Sequence, residues 1–122
     1  MQKLSMVSKD LARLRHMLDS TNAILSFVKG KKRASLDANR LLASGIIREF
    51  EVLGEAAGKV SPKTKALYPQ LPWKQQLNGM RNRLIHAYFD VDHDVIWKTI
   101  KDNLPSFQRQ LEKIIDDLRK DG

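Results

Sequence analysis

Apolar residues recur at three- and four-residue intervals along most of this chain, and that period demands helices. Leu11, Leu14, Leu18, Leu25 and Val28 form one such stripe, with Thr21 in the same register and Met17, Ile24 and Phe27 widening it. A stripe of this kind has to be covered by another element, so it marks a bundle helix. Ser8 is a suitable N-cap and Asp10 follows in the first turn, where the helix dipole favours negative charge; a helix over 8–28 is expected. Gly30 ends it, and Lys31-Lys32-Arg33 make a basic loop.

The same period returns downstream. Ser35 is a good cap with Asp37 just inside, and Leu41, Leu42, Ile46, Ile47, Phe50, Leu53 and Ala57 carry a long apolar face. Gly45 and Gly54 interrupt it, each costing roughly 1 kcal/mol relative to Ala, and are read as points of close helix approach rather than as local weakness. Gly58 and Ser61-Pro62 stop the element. Proline after a serine cap then starts a short helix to about Tyr68. Residues before proline avoid the helical region, so Tyr68 to Trp73 is expected to be an extended connector.

A helix resumes near Trp73 and runs through Leu77, Met80, Leu84 and Ile85 towards Tyr88. Asp92 can cap a last helix carrying Val95, Ile96, Ile100, Leu104, Phe107, Leu111, Ile114, Ile115 and Leu118, with a kink or break near 101–104 imposed by Pro105. No segment alternates with a period of two. The expected fold is all-α, an antiparallel four-helix bundle with a short extra helix, as a single domain over residues 1–122.

Composition narrows the function. Twenty-two Lys and Arg against 14 Asp and Glu give a formal charge of +8, which suits a polyanion such as RNA or DNA, an acidic protein, or simple solubility. With no cysteine, disulfides and thiolate chemistry are excluded. There is no apolar run long enough for a membrane span and no signal-peptide stretch after Met1, so the cytoplasm is the expected compartment.

The densest chemistry lies between Met80 and Tyr88, where Arg81, Asn82, Arg83, His86 and Tyr88 alternate with apolar anchors. A guanidinium matches phosphate oxygens and an imidazole moves protons near neutrality. Together they suffice for RNA cleavage without a metal: one assists attack by the ribose 2′-hydroxyl or protonates the leaving oxygen, while the other stabilises the phosphorane. On a regular helix, however, Arg81 and His86 are separated by roughly 140° of rotation. Asn82 and Arg83 lie beside His86 instead. A symmetric dimer would bring two copies of the run together and relieve that mismatch.

Other residues carry weaker signals. Asp90, Asp92, His93 and Asp94 have the composition of a metal cluster, but helix capping explains most of them and no metal is expected. Glu51 and Glu55 share a face and could orient Arg81 or Arg83, or pair only with Arg48 and Lys59. Lys31, Lys32 and Arg33 could touch RNA or be merely solvated. Trp73 and Trp97 could stack on bases but suit core packing better. His16 needs no role.

The run Arg81-x4-His86-x-Tyr88, with Asn82 after the arginine, resembles the signature of the HepT-like toxins of the HEPN superfamily. Glu51-Val52-Leu53-Gly54-Glu55-Ala56-Ala57, Ser61-Pro62, Tyr68-Pro69, Leu71-Pro72-Trp73 and Val91-Asp92-His93-Asp94-Val95-Ile96-Trp97 extend the likeness over about 41–104. The resemblance implies a dimeric helical bundle with facing motifs. It implies the toxin of a type II toxin–antitoxin system: a metal-independent endoribonuclease, needing no cofactor of its own, that cleaves RNA. Arg81 and His86 would be its catalytic pair, with Asn82 and Arg83 in support. It further implies a small nucleotidyltransferase antitoxin, which would consume ATP to attach AMP to Tyr88. The other class open at this point is a non-catalytic subunit that binds nucleotide or docks the nucleotidyltransferase.

Overall fold

The computed structural model describes residues 2–73 and 92–121. Within them the chain forms six helices and no strand: α1 (Gln2–Phe27), α2 (Arg33–Ala38), α3 (Arg40–Gly58), α4 (Pro62–Leu67), α5 (His93–Asp102) and α6 (Leu104–Asp121). The all-α expectation holds. The helix expected between Trp73 and Tyr88 lies outside the described residues.

α1 is the centre of the bundle, packed against both α3 and α6. Leu14, Met17, Thr21, Ile24 and Val28 are buried, while Leu11, Leu18 and Leu25 are partly covered at the edges of the same stripe. Thr21 is admitted to this apolar face because its hydroxyl donates to the Met17 carbonyl at 2.8 Å, leaving no unpaired polar atom. Opposite it stand Ile46, Phe50, Leu53 and Ala57 of α3, and Phe107, Leu111, Ile114 and Leu118 of α6. α1 and α3 run antiparallel: Asp10 near the start of α1 meets Ser61 just beyond α3, and Phe27 at the end of α1 lies across Gly45 near the start of α3.

Several boundaries differ from the sequence expectation. α1 begins before Ser8, which is therefore an exposed helix residue and not a cap. The element expected to open at Ser35 is two helices. Lys32 is the N-cap of α2, with its backbone N–H donating to the Ser35 hydroxyl at 3.1 Å. Asn39 then closes α2 in an extended conformation and caps α3, its side-chain oxygen accepting from Leu42 N at 3.0 Å. A Cβ added at Gly45 would stand 3.5 Å from Phe27 Cε2, an ordinary contact, so close approach does not require glycine there. Tyr68 to Leu71 is a turn rather than an extended strand, closed by Leu71 N–H donating to the Tyr68 carbonyl at 3.3 Å.

Other signals land where the sequence puts them. Gly30 has φ of 75°, the left-handed conformation that ends a helix without strain only at glycine. Ser61 caps α4 with Pro62 at its start. Asp92 caps α5, accepting from Asp94 N at 2.9 Å and Val95 N at 3.2 Å. Asn103 separates α5 from α6, two residues before Pro105, whose missing N–H cannot continue the ladder.

Asp10 is not a first-turn dipole residue at all. It is buried, and its carboxylate accepts from Ser61 N at 3.0 Å, from Ser61 Oγ at 2.6 Å and from Thr64 Oγ1. This bolts the start of α4 to α1. Replacing Asp10 with Ala leaves these donors without an acceptor, and hydrogen bonds to a buried charge are costly to lose. Asp10→Ala is expected to lower the unfolding free energy in urea by about 2–3 kcal/mol; an unchanged midpoint would show that the bolt contributes nothing.

Candidate functional site

Arg81, Asn82, Arg83, His86 and Tyr88 all lie outside the described residues, as does Asp90. The structure defines the two points between which their segment is strung. One is Trp73, the other Asp92.

Trp73 is buried, and its indole N–H donates to the Tyr68 carbonyl at 2.9 Å. Lys65 of α4 places its ammonium 5.9 Å from the ring centroid. Trp73 thus packs into the core, as does one face of Trp97, over which Lys101 lies at 4.9 Å. The base-stacking alternative for either ring has little free aromatic surface to work with.

Asp92 is held from the other side. Arg33 of α2 donates through Nε to Asp94 Oδ1 at 2.6 Å and through Nη1 to Asp37 Oδ2 at 2.8 Å. His93 Nδ1 lies 2.7 Å from Asp37 Oδ1. One short helix is thereby fastened to the first turn of α5 by two Arg33–carboxylate ion pairs and the Asp37–His93 hydrogen bond. The hydrogen bond to His93, followed by that to Arg33, holds the Asp37 carboxyl below its ordinary value. Asp94 and then Asp37 raise the Arg33 guanidinium further. Arg33 is therefore occupied by two carboxylates, while Lys31 and Lys32 beside it are exposed. The fastener fixes geometry and offers little net positive charge to a phosphate.

Among the described residues no group of three or more His, Asp or Glu could hold a metal ion, and His93 and Asp94 are engaged as above. Glu51 is half-buried and pairs with Arg48 at 3.3 Å, the local pairing that the sequence offered as its alternative. Glu55, one turn later, is exposed. His16 is exposed on α1. An apolar cavity of about 180 Å³ opens between α3 and the α5–α6 junction, walled by Phe50, Leu53, Pro72, Leu104 and Phe107. Its one ionisable lining residue, Asp102, would repel a phosphate. No described helix is long and apolar enough to cross a membrane.

A sequence model of the family described as "Ribonuclease HepT-like" matches residues 17–114. The chain belongs to the HepT-like ribonuclease family. A Methanocaldococcus jannaschii protein named "Putative RNase" is 36% identical over 104 residues, covering 85% of this chain and 89% of its own length. A second protein of that organism with the same designation is 35% identical over 102 residues, 84% of each chain. The Thermococcus cleftensis protein named "Probable ribonuclease HepT" is 44% identical over 69 residues, 57% of this chain and 62% of its own. No solved structure matches the chain. The matched span includes α3 to α5 and both anchors of the Arg81–Tyr88 segment.

The fastener has a definite pH dependence. Because the folded carboxyl of Asp37 is depressed, its contribution is fully present above the ordinary carboxylate value of about 3.9 and is lost as pH falls through and below it. Carbon-detected NMR should find Asp37 titrating below that value in the intact protein and moving back up in His93→Ala. Identical titration in both proteins would contradict the pairing.

Proposed function

We propose that this protein is a metal-independent endoribonuclease, the toxin of a type II toxin–antitoxin pair, working as a homodimer. The family match over residues 17–114 is the observation that carries the reading. The formal charge of +8 agrees with an RNA substrate.

In this reading His86 handles the proton that leaves the ribose 2′-hydroxyl or arrives on the departing 5′-oxygen. Arg81 stabilises the negative charge that builds on the phosphorane. Asn82 and Arg83, four and three residues before His86, orient the phosphate. The roughly 140° that a regular helix would put between Arg81 and His86 favours a site shared by opposite subunits of the dimer over one reached by Arg81's length or by a helix end near His86. Glu51 and Glu55 stand on α3 as candidates to steer the arginines, Glu51 being already paired with Arg48. Tyr88 is the acceptor for AMP from a small nucleotidyltransferase. Phosphodiester-linked nucleotide at that hydroxyl would add bulk and negative charge two residues from His86 and exclude an RNA phosphate.

Total RNA incubated with the purified protein in excess chelator provides the test. Cleavage is expected to persist without metal and to fall by roughly 10²- to 10⁴-fold in His86→Ala. Intact RNA at every protein concentration, with the nucleotidyltransferase still bound, would instead establish a docking subunit. Co-expression with that partner should add AMP increments to the intact mass, absent in Tyr88→Phe; increments that survive the substitution would remove Tyr88 from the role.

A further inference from the structure

The chain is electrostatically lopsided around α4. From Ala56 to Phe89 it contains Lys59, Lys63, Lys65, Lys74, Arg81 and Arg83 and not one Asp or Glu. Lys59 and Lys63 are exposed and Lys65 is half-buried. The nearby acid on α1, Asp10, is buried and saturated by Ser61 and Thr64, so it faces inward and pins α4 in place. Lys63 and Lys65 thus stand on a helix that Asp10 pins to α1.

Beside α4 runs an open groove of about 510 Å³. Lys65 and Gln70 line it together with the apolar Pro69, Leu71, Pro72 and Trp73. This lining is held by the Tyr68 carbonyl, which receives both the Leu71 N–H and the Trp73 indole N–H. A cation, an amide that both donates and accepts, and an apolar lining together suit a ligand that joins an anionic group to a flat, weakly polar ring. A nucleotide unit has that chemistry. Trp73, in the lining of the groove, lies eight residues before Arg81 in the sequence.

We infer that the α4 ridge and its groove form a secondary binding site for single-stranded RNA, gripping the backbone through Lys63 and Lys65 and seating one nucleotide beside Gln70. This rests on RNA being the substrate proposed above, and it assigns strand holding to residues separate from those that cleave. The α2–α5 fastener, where Arg33 is spent on Asp37 and Asp94, and the end of α6, where Arg119 and Lys120 pair with Asp116, are poorer tracks for a polyanion.

Binding of a fluorescent 2′-O-methyl oligouridine to the full chain, followed by anisotropy across a range of KCl concentrations, tests this without cleavage because the probe has no attacking hydroxyl. Lys63→Gln/Lys65→Gln should weaken binding severalfold and flatten the plot of log affinity against log salt by about 1.4, two phosphate contacts at roughly 0.7 each. The control Lys98→Gln/Lys113→Gln removes the same charge from α5 and α6 and should leave the slope unchanged. Gln70→Ala should weaken binding with the slope intact. Equal flattening in both double variants, full binding by Lys63→Gln/Lys65→Gln or by Gln70→Ala, or no binding by the unsubstituted protein would each overturn the inference. Normal, ridge-dependent binding by a protein that never cleaves RNA would sink the nuclease reading and leave the ridge standing.

Discussion

Burial of the inner face of α1 is the constraint around which the other helices are arranged. Leu14, Met17 and Ile24 are wholly removed from solvent, and each such side chain contributes about 1.5–3 kcal/mol of transfer free energy. No single partner helix can cover a face widened by Met17 and Ile24, so α3 and α6 close on it from two sides. Two of the polar side chains buried on α1 are satisfied internally: Thr21 by its own helix, Asp10 by Ser61 and Thr64. The second of these also carries information across the chain, since it joins the start of α1 to the end of α3.

That scaffold holds the segment bearing Arg81 to Tyr88 at both of its ends. On one side α4 is bolted to α1 and the Tyr68 turn is locked under Trp73. On the other, α2 grips the first turn of α5 through Arg33, Asp37, His93 and Asp94. The two anchors use different physics, one buried and hydrogen-bonded, the other exposed and ionic. Salt should therefore loosen the exposed α5 side before the buried α4 side.

Much of the helical pattern is legible because helix period and caps are local properties. Gly30, Ser61-Pro62, Asp92 and the Asn103–Pro105 break each act through the conformation or hydrogen bonds of a few neighbouring residues. What is not legible depends on choices among permissible options or on distant partners. The apolar period continues through Asn39, which hides the break that its side chain makes by accepting from Leu42 N. Ser8 could cap a helix, but nothing before it breaks one, so α1 simply continues. Asp10 fits the dipole rule equally well in either role, and its true partners lie 51 and 54 residues away. The family was legible in the run from Arg81 to Tyr88 and its flanks. The geometry of those five polar residues lies outside the described structure, and their roles rest on the proposed reading. By contrast, no local pattern announces the groove beside α4, whose lining depends on the turn that the Tyr68 carbonyl closes with Leu71 and Trp73.

The proposed dimer would divide the labour: each bundle would present one copy of the segment, and neither copy would complete the chemistry alone. Mixing inactive Arg81→Ala and His86→Ala proteins, unfolding and refolding them together, tests it directly. If the site is shared across the dimer, half of the dimers are mixed and each regains one intact site, so RNA cleavage should return to about a quarter of that of the unsubstituted protein. A mixture as inactive as its components would contradict the shared site and return Arg81 and His86 to a single subunit.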